Sequence, residues 1–143
     1  MVRRCREQDL DQVLVIERIC FKQPYDYLTF FYFLTKEPEG FYVAEENGHI
    51  LGYAIFSSKN NRGNIISIGV LPEFRRMRIG GKLLEEGLNF LSRKVEEVEL
   101  QVRVGNREAI DFYRRFGFRE KGRIYNYYSD GEDALVMQKR IAR

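Results

Sequence analysis

The sequence feature with the clearest chemistry is a basic, glycine-containing loop that leads from a strand into a helix. It reads Val-Leu-Pro-Glu-Phe-Arg-Arg-Met-Arg-Ile-Gly-Gly-Lys-Leu-Leu over residues 70–84. A helix N-terminus offers unpaired N–H groups and a partial positive charge, and glycines let the backbone come close to an anion. Four side chains add charge that suits phosphates: Arg75, Arg76, Arg78 and Lys82. The segment therefore predicts a pyrophosphate site, although charge alone favours a solvated basic turn.

The elements predicted around this loop place it after an apolar strand. Apolar runs and alternation predict seven strands, at residues 2–5, 41–45, 49–58, 65–70, 95–104, 119–125 and 132–140. Helical spacing of apolar side chains predicts four helices, over residues 10–20, 27–34, 80–93 and 107–116. This order describes a mixed sheet with helices on both faces.

Local signals mark the ends of several elements. Asn47-Gly48 predicts a hairpin turn. Asp9 is predicted to cap the first helix, with Gln12 at the capping-box position. Asn106 is predicted to cap the last helix, and Gly117 suits the position just after its end.

The composition excludes several classes of protein. A chain of 143 residues suits one domain, residues 1–143. No apolar run approaches the roughly 18 residues that cross a membrane, and no secretory signal is visible, so we expect a cytoplasmic protein. One histidine, His49, and two distant cysteines, Cys5 and Cys20, make no metal site. A net charge of +3 suits an anionic cofactor and does not by itself predict nucleic acid.

Three motifs together resemble the GCN5-related N-acetyltransferases, the GNAT superfamily. The basic loop resembles motif A, R-x-x-G-x-G or R-x-x-G-x-A: Arg75 and Gly80 match its ends, and Arg78 stands where the family usually has the middle glycine. Asn-x-x-Ala-x-x-Phe-Tyr at residues 106–113, followed by Phe-Gly-Phe, resembles motif B. Residues 127–134 resemble the Y-Y-x-D-G-E-D-A ending of archaeal and RimI-type protein N-terminal acetyltransferases.

The resemblance covers essentially the whole chain and implies a fold, a cosubstrate and a reaction. The fold is a seven-stranded, mostly antiparallel sheet with about four helices, of class α/β (α+β). The cosubstrate is acetyl-CoA, which a substrate amine attacks directly, and no metal takes part. The resemblance places the thioester along the strand residues Ile68, Gly69 and Val70, whose backbone N–H groups polarise the carbonyl. The pyrophosphate then meets Arg75, Arg76, Met77, Arg78, Ile79, Gly80 and Gly81.

The resemblance also suggests catalytic roles, each with a plainer alternative. Tyr113 matches the family tyrosine near the CoA sulfur, a general acid for the leaving thiolate, and is otherwise a core residue. Asn106 matches a CoA-contacting asparagine and is otherwise only a helix cap. RimI-type enzymes have a glutamate where this chain has Gln101, and a glutamine cannot take a proton. We therefore consider Glu99, or a water ordered by Gln101, as the base; the alternative for Glu99 is an exposed carboxylate at the sheet edge.

The expected acceptor is the N-terminal α-amine of a protein or peptide. The resemblance places the peptide between the loop at residues 21–27 and the turn at 127–128, with Tyr25, Tyr127 and Tyr128 gripping it. Glu132 and Asp133 are expected to brace that turn. Ribosome association and a homodimer remain open, while no membrane or nucleic-acid partner is expected. The alternatives are a small-molecule or lysine acetyltransferase and a CoA-binding regulatory module without activity.

Overall fold

The computed structural model describes residues 1–141, which form two compact units. The first unit holds residues 1–57 and 66–93, and the second holds residues 58–65 and residues from 94 onward. Two strands, at residues 49–59 and 62–70, contribute to both units.

Seven strands and four α-helices make up most of the described chain, as the sequence predicts. The strands are β1 Val2–Arg4, β2 Phe41–Glu46, β3 His49–Lys59, β4 Arg62–Val70, β5 Glu97–Arg103, β6 Arg119–Ile124 and β7 Ala134–Arg140. The helices are α1 Leu10–Cys20, α2 Tyr27–Lys36, α3 Ile79–Leu91 and α4 Arg107–Arg115, with short 3-10 helices at Glu7–Asp9, Pro38–Gly40 and Pro72–Met77. The strand order is β1-β2-β3-β4-β5-β7-β6. The recorded pairings are antiparallel except for β4 with β5, which run parallel.

The core of the first unit is aromatic and lies under α1 and α2. Leu10, Val13 and Ile16 follow helical spacing along α1 and are buried. The Phe30 ring of α2 lies 6.3 Å from the ring of Phe41 and 5.9 Å from that of Tyr53, centroid to centroid. Such tilted and edge-to-face contacts fix the helix against β2 and β3.

α3 is held against the same unit by leucines and one glycine. Leu83, Leu84 and Leu91 are fully buried. Gly87 lies on the same face, and a Cβ placed there would come within 2.1 Å of the Phe56 ring. The missing side chain therefore allows the close approach of α3 to β3.

The second unit is built on the antiparallel strands β5, β7 and β6 with α4. Val98, Leu100 and Val102 are the buried alternate residues of β5, as predicted. Asn106 accepts a hydrogen bond from the Ala109 N–H at 3.2 Å, which confirms it as the cap of α4. Gly117 follows this helix with φ at 91°, which confirms the prediction that this glycine lies just after the end of α4.

Two local predictions are wrong. Asp9 occupies the N-cap position of α1, but its side chain does not cap that helix. Its carboxylate instead accepts from the Arg6 N–H at 2.8 Å, as the capping box of the preceding 3-10 helix, and pairs with Arg3 at 2.8 Å. Gln12 instead accepts a hydrogen bond from the Ile50 N–H, a long-range partner that no local pattern reveals. The fourth strand begins at residue 62 and not 65, because Asn60 and Asn61 make the whole turn with φ of 54° and 63°.

We predict that Gly87→Ala destabilises the protein by about 1–3 kcal/mol, since the added methyl group overlaps the buried Phe56 ring. In an ordinary helix interior the same change stabilises by about 0.5–1 kcal/mol, so a loss of stability would indicate the close contact with Phe56. Urea unfolding measures the difference. Asn89→Ala, at an exposed position of α3, is the control and should change stability little; a stabilised Gly87 variant would contradict the packing.

Candidate active site

The basic loop turns from β4 into α3 through a short 3-10 helix. Pro72 follows the end of β4 and starts the 3-10 helix Pro72–Met77, and α3 begins at Ile79. No side chain caps this helix, and the Lys82 N–H donates to the Arg78 carbonyl at 3.1 Å as its first helical bond. The N–H groups of the first turn, including those of Gly80 and Gly81, therefore have no partner within the helix. This arrangement suits an anion.

Arg78 carries the backbone conformation that turns the chain into α3. Its φ is 64° and its ψ is 16°, which is the left-handed region. That region costs an L-residue roughly 1–2 kcal/mol and costs glycine little. Position 78 thus lacks the glycine of the motif. Arg78 nevertheless adopts the left-handed conformation that favours glycine.

The basic side chains of the loop divide into two sets. The Arg75 guanidinium lies against the end of β4, where Nε donates to the Val70 carbonyl at 3.0 Å and Nη2 lies 3.3 Å from the Cys20 sulfur. Arg76, Met77, Arg78 and Lys82 are exposed. Arg75 thus braces the loop, while the other three cations face solvent.

The predicted thioester strand lies next to a buried polar cluster that sequence reasoning missed. Residues 68–70 of β4 lie beyond Asn64, the last β4 residue that pairs with β5. A Cβ on Gly69 would come within 2.7 Å of the Tyr53 ring, so glycine is needed for this contact. The Tyr53 hydroxyl bonds to Ser67 at 3.0 Å and to the Glu17 carboxylate. The sequence signal that could have revealed this cluster is Glu17, a glutamate among the apolar residues of the buried face of α1.

Tyr113 in the second unit has a hydroxyl that stays protonated at neutral pH. Its ring makes edge-to-face contacts with Phe118 at 5.7 Å and with Phe112 at 5.2 Å. The residue is 8% exposed, and this burial raises the pKa of Tyr113 well above the usual value for a tyrosine. A general acid needs its proton at the working pH, so the environment suits that role.

Glu99 is not the exposed edge carboxylate that the alternative describes. It is buried on β5, an inner strand of the sheet order, and its carboxylate lies 2.5 Å from the Lys121 amine and 3.5 Å from the Arg62 guanidinium. Gln101, two residues along, is exposed. Two cations thus hold Glu99, and they favour a structural role for it over proton transfer.

The turn that carries Tyr127 and Tyr128 is braced by charged groups. The two rings meet edge to face at 4.9 Å, and the Arg103 guanidinium lies 4.1 Å from the centroid of Tyr128. Arg103 also pairs with Glu132 at 2.8 Å and with Asp130 at 2.9 Å. The expectation that acidic residues brace the turn is confirmed for Glu132.

Asp133 braces the same turn from its other side. Its carboxylate accepts from the Asn126 N–H at 2.8 Å and from Arg123 Nε at 2.9 Å. These bonds lower the pKa of Asp133 below its usual value, the Asn126 N–H first. Tyr25, the third predicted peptide contact, lies in the first unit with its ring edge to face on Phe30 at 6.1 Å.

The described residues hold neither a metal cluster nor a membrane helix. Within residues 1–141, no three His, Cys, Asp or Glu side chains come together as a metal-binding group. None of the helices in that part of the chain combines the length and apolarity that crossing a bilayer requires.

Comparison with known proteins assigns the fold and the reaction type. Residues 9–118 match the family described as Acetyltransferase (GNAT) family. The chain belongs to this family. This GNAT protein is therefore an acyltransferase that uses acetyl-CoA as its cosubstrate, as the motifs implied.

Relatives and solved structures match this GNAT protein over nearly their whole length. An N-alpha-acetyltransferase of Sulfurisphaera tokodaii is 35% identical, with 95% of this chain and 90% of the relative covered. A putative [ribosomal protein bS18]-alanine N-acetyltransferase of Bacillus subtilis is 34% identical, with 95% and 92% covered.

Two solved structures show the same fold. Ard1 from Thermoplasma volcanium has a TM-score of 0.96 at 28% identity and covers 100% of this chain and 98% of its own. Arabidopsis thaliana Naa50, in complex with the bisubstrate analogue CoA-Ac-MVNAL, has a TM-score of 0.85 at 27% identity with 97% of both chains covered.

Replacing Arg78 by glycine and, separately, by alanine distinguishes its backbone role from its charge. Both variants lose the same charge, but only glycine tolerates the left-handed backbone. We therefore expect Arg78→Gly to be more stable than Arg78→Ala by about 1 kcal/mol in urea unfolding. Equal stability of the two variants would contradict the left-handed conformation.

Proposed function

We propose that this GNAT enzyme transfers the acetyl group of acetyl-CoA to the N-terminal α-amine of a protein or peptide. The observation that carries the proposal is full-length similarity to N-alpha-acetyltransferases, together with a braced Tyr127–Tyr128 turn. The Naa50 neighbour adds support, because its analogue joins CoA to the peptide Ac-MVNAL.

The donor side of the reaction is assigned to the first unit. The uncapped first turn of α3 and the exposed cations Arg76, Arg78 and Lys82 bind the pyrophosphate through N–H groups and charge. Backbone N–H groups of residues 68–70 donate to the thioester carbonyl and stabilise the oxyanion as the amine attacks. Arg75 holds the loop in place through the Val70 carbonyl.

The transfer forms one C–N bond and breaks one C–S bond. The attacking amine must be neutral, so a proton leaves it, and the CoA thiolate must be protonated as it departs. Tyr113 donates the proton to the thiolate, since its burial keeps the hydroxyl protonated. The group that accepts the amine proton is a water ordered by Gln101 and not Glu99, because Lys121 and Arg62 form ion pairs with the Glu99 carboxylate.

The acceptor side uses tyrosines that present both a ring and a hydroxyl. Tyr127 is 48% exposed and Tyr25 is 41% exposed, so both can contact a peptide. Tyr128 is held more firmly, under Arg103. Aromatic side chains of this kind pack against the peptide backbone and still offer hydrogen bonds.

The proposal predicts acetylation that depends on a free α-amine. Incubation with acetyl-CoA and peptides of varied first residue, with ribosomal-protein N-termini starting at alanine among them, should release CoA. Peptides with a blocked N-terminus and an internal lysine, together with free lysine, serve as matched controls and should release none above background. CoA release and mass spectrometry of the peptides give the measurement.

Two outcomes of that assay would overturn the proposal. Turnover on blocked peptides or free lysine would assign a side-chain or small-molecule acceptor. CoA binding without turnover on any amine would make the protein a CoA-binding regulatory module.

Tyr113→Phe should lower kcat by about 10²–10³-fold, because it removes a general acid and keeps the ring packing. CoA affinity and urea stability should stay near the parent values. Tyr125→Phe removes a hydroxyl from a tyrosine that is 72% exposed and should leave the rate unchanged. An undiminished rate in the Tyr113 variant would remove this residue from the mechanism.

A further inference from the structure

Glu17 is a buried acid that the proposed reaction does not use. It lies on α1, is 2% exposed, and accepts three hydrogen bonds from uncharged donors. The Tyr25 N–H donates to Oε2 at 3.0 Å, and the Ser67 hydroxyl donates to Oε1 at 3.3 Å. The Tyr53 hydroxyl is the third donor, also to Oε1. Burial raises the pKa of Glu17, since none of these partners supplies a positive charge.

The partners of Glu17 belong to two functional segments of the first unit. Tyr25 lies in the segment between α1 and α2, residues 21–26, where the peptide contact is proposed. Ser67 lies on β4, one residue before the proposed thioester strand. Oε2 therefore holds the first segment, and Oε1 holds the second through Ser67 and Tyr53.

Tyr53 extends this connection to the strand backbone. Its ring occupies the space where a side chain on Gly69 would be, with only 2.7 Å to a Cβ placed there. The same ring meets Phe30 edge to face at 5.9 Å, and Phe30 meets Tyr25 at 6.1 Å. Both hydrogen bonds and ring contacts therefore fix the peptide segment relative to residues 67–69.

We propose that Glu17 is a positioning residue, which sets the spacing between the peptide-binding segment at Tyr25 and the thioester strand at residues 68–70, through its bonds to Ser67 and Tyr53. The assignment of these two segments rests on the proposed function. Glu17 touches neither substrate in this role and transfers no proton. Its contribution is to hold the acceptor amine and the thioester in register, for which displacements of about 1 Å matter.

Two substitutions separate positioning from proton transfer. Glu17→Gln keeps the length of the side chain and loses the acid, whereas Glu17→Asp keeps the acid and loses the length. Glu17→Gln has no acid, but its carbonyl can accept from the Tyr25 N–H while its amide donates to the Tyr53 hydroxyl, which donates to Ser67. Glu17→Asp keeps the acid, but its side chain is one methylene shorter and cannot reach both segments. Arg18→Gln, an exposed neighbour on α1, is the control.

The test measures kinetics with the acceptor amine that the wild-type enzyme turns over best. We expect Glu17→Gln to retain kcat/KM for this acceptor and an unchanged pH profile. Glu17→Asp should raise the acceptor KM and lower kcat/KM by about 10²-fold, with acetyl-CoA affinity unchanged. The reverse order, with Gln inactive and Asp active, would assign Glu17 to proton transfer; an unchanged acceptor KM in the Asp variant would leave it only a structural residue.

Amide hydrogen exchange provides a readout that needs no turnover. The Tyr25 N–H should exchange slowly in the wild type and in Glu17→Gln, and at least about tenfold faster in Glu17→Asp. Fast exchange at Tyr25 in the wild type would overturn the proposal, even where the Asp variant fails to fold. If no peptide is acetylated but Tyr25 is protected, the proposed function fails and the contact stands.

Discussion

The left-handed backbone at Arg78 is the constraint on which the cofactor loop depends. The chain leaves β4 at Val70 and enters α3 at Ile79, and a single residue with φ of 64° makes the last turn. An ordinary N-cap side chain at this position would bond to the first-turn N–H groups and occupy them. Here no side chain caps the helix, so no capping side chain occupies those donors. The strain at one residue thus leaves a helix end open for an anion.

In each unit, several charged residues are engaged by neighbouring groups of the fold. Arg75 holds the Val70 carbonyl, and Arg103 joins Glu132 to Tyr128. Glu99 is held by Lys121, and Glu17 by uncharged donors. The proposed direct attack by an amine agrees with this distribution, since such a reaction needs oriented donors and well-placed substrates more than a reactive side chain. The ion pair with Lys121 also compensates the buried charge of Glu99.

Features set by neighbouring residues could be predicted from the sequence, and features set by distant partners could not. Asn47-Gly48 turns, Asn106 caps and Gly117 ends a helix because each acts within a few residues. The Asp9 side chain does not cap α1, because its carboxylate is engaged by Arg3 and by the Arg6 N–H. The surroundings of Glu99 and Glu17 also depend on residues 22 or more positions away. A sequence pattern identifies such a carboxylate but not the distant residues that form hydrogen bonds or ion pairs with it.

The chain departs from the GNAT motifs at two positions, and the departures have different consequences. At position 78 the motif requires a backbone conformation, and the surrounding loop imposes that conformation on an arginine at a cost of about 1–2 kcal/mol. At position 101 the motif of RimI-type enzymes requires a side chain that accepts a proton, and no backbone arrangement gives a glutamine that ability. The first departure therefore keeps the loop conformation on which the proposed cofactor site depends. The second changes the proposed chemistry, because a glutamine at position 101 cannot take the amine proton.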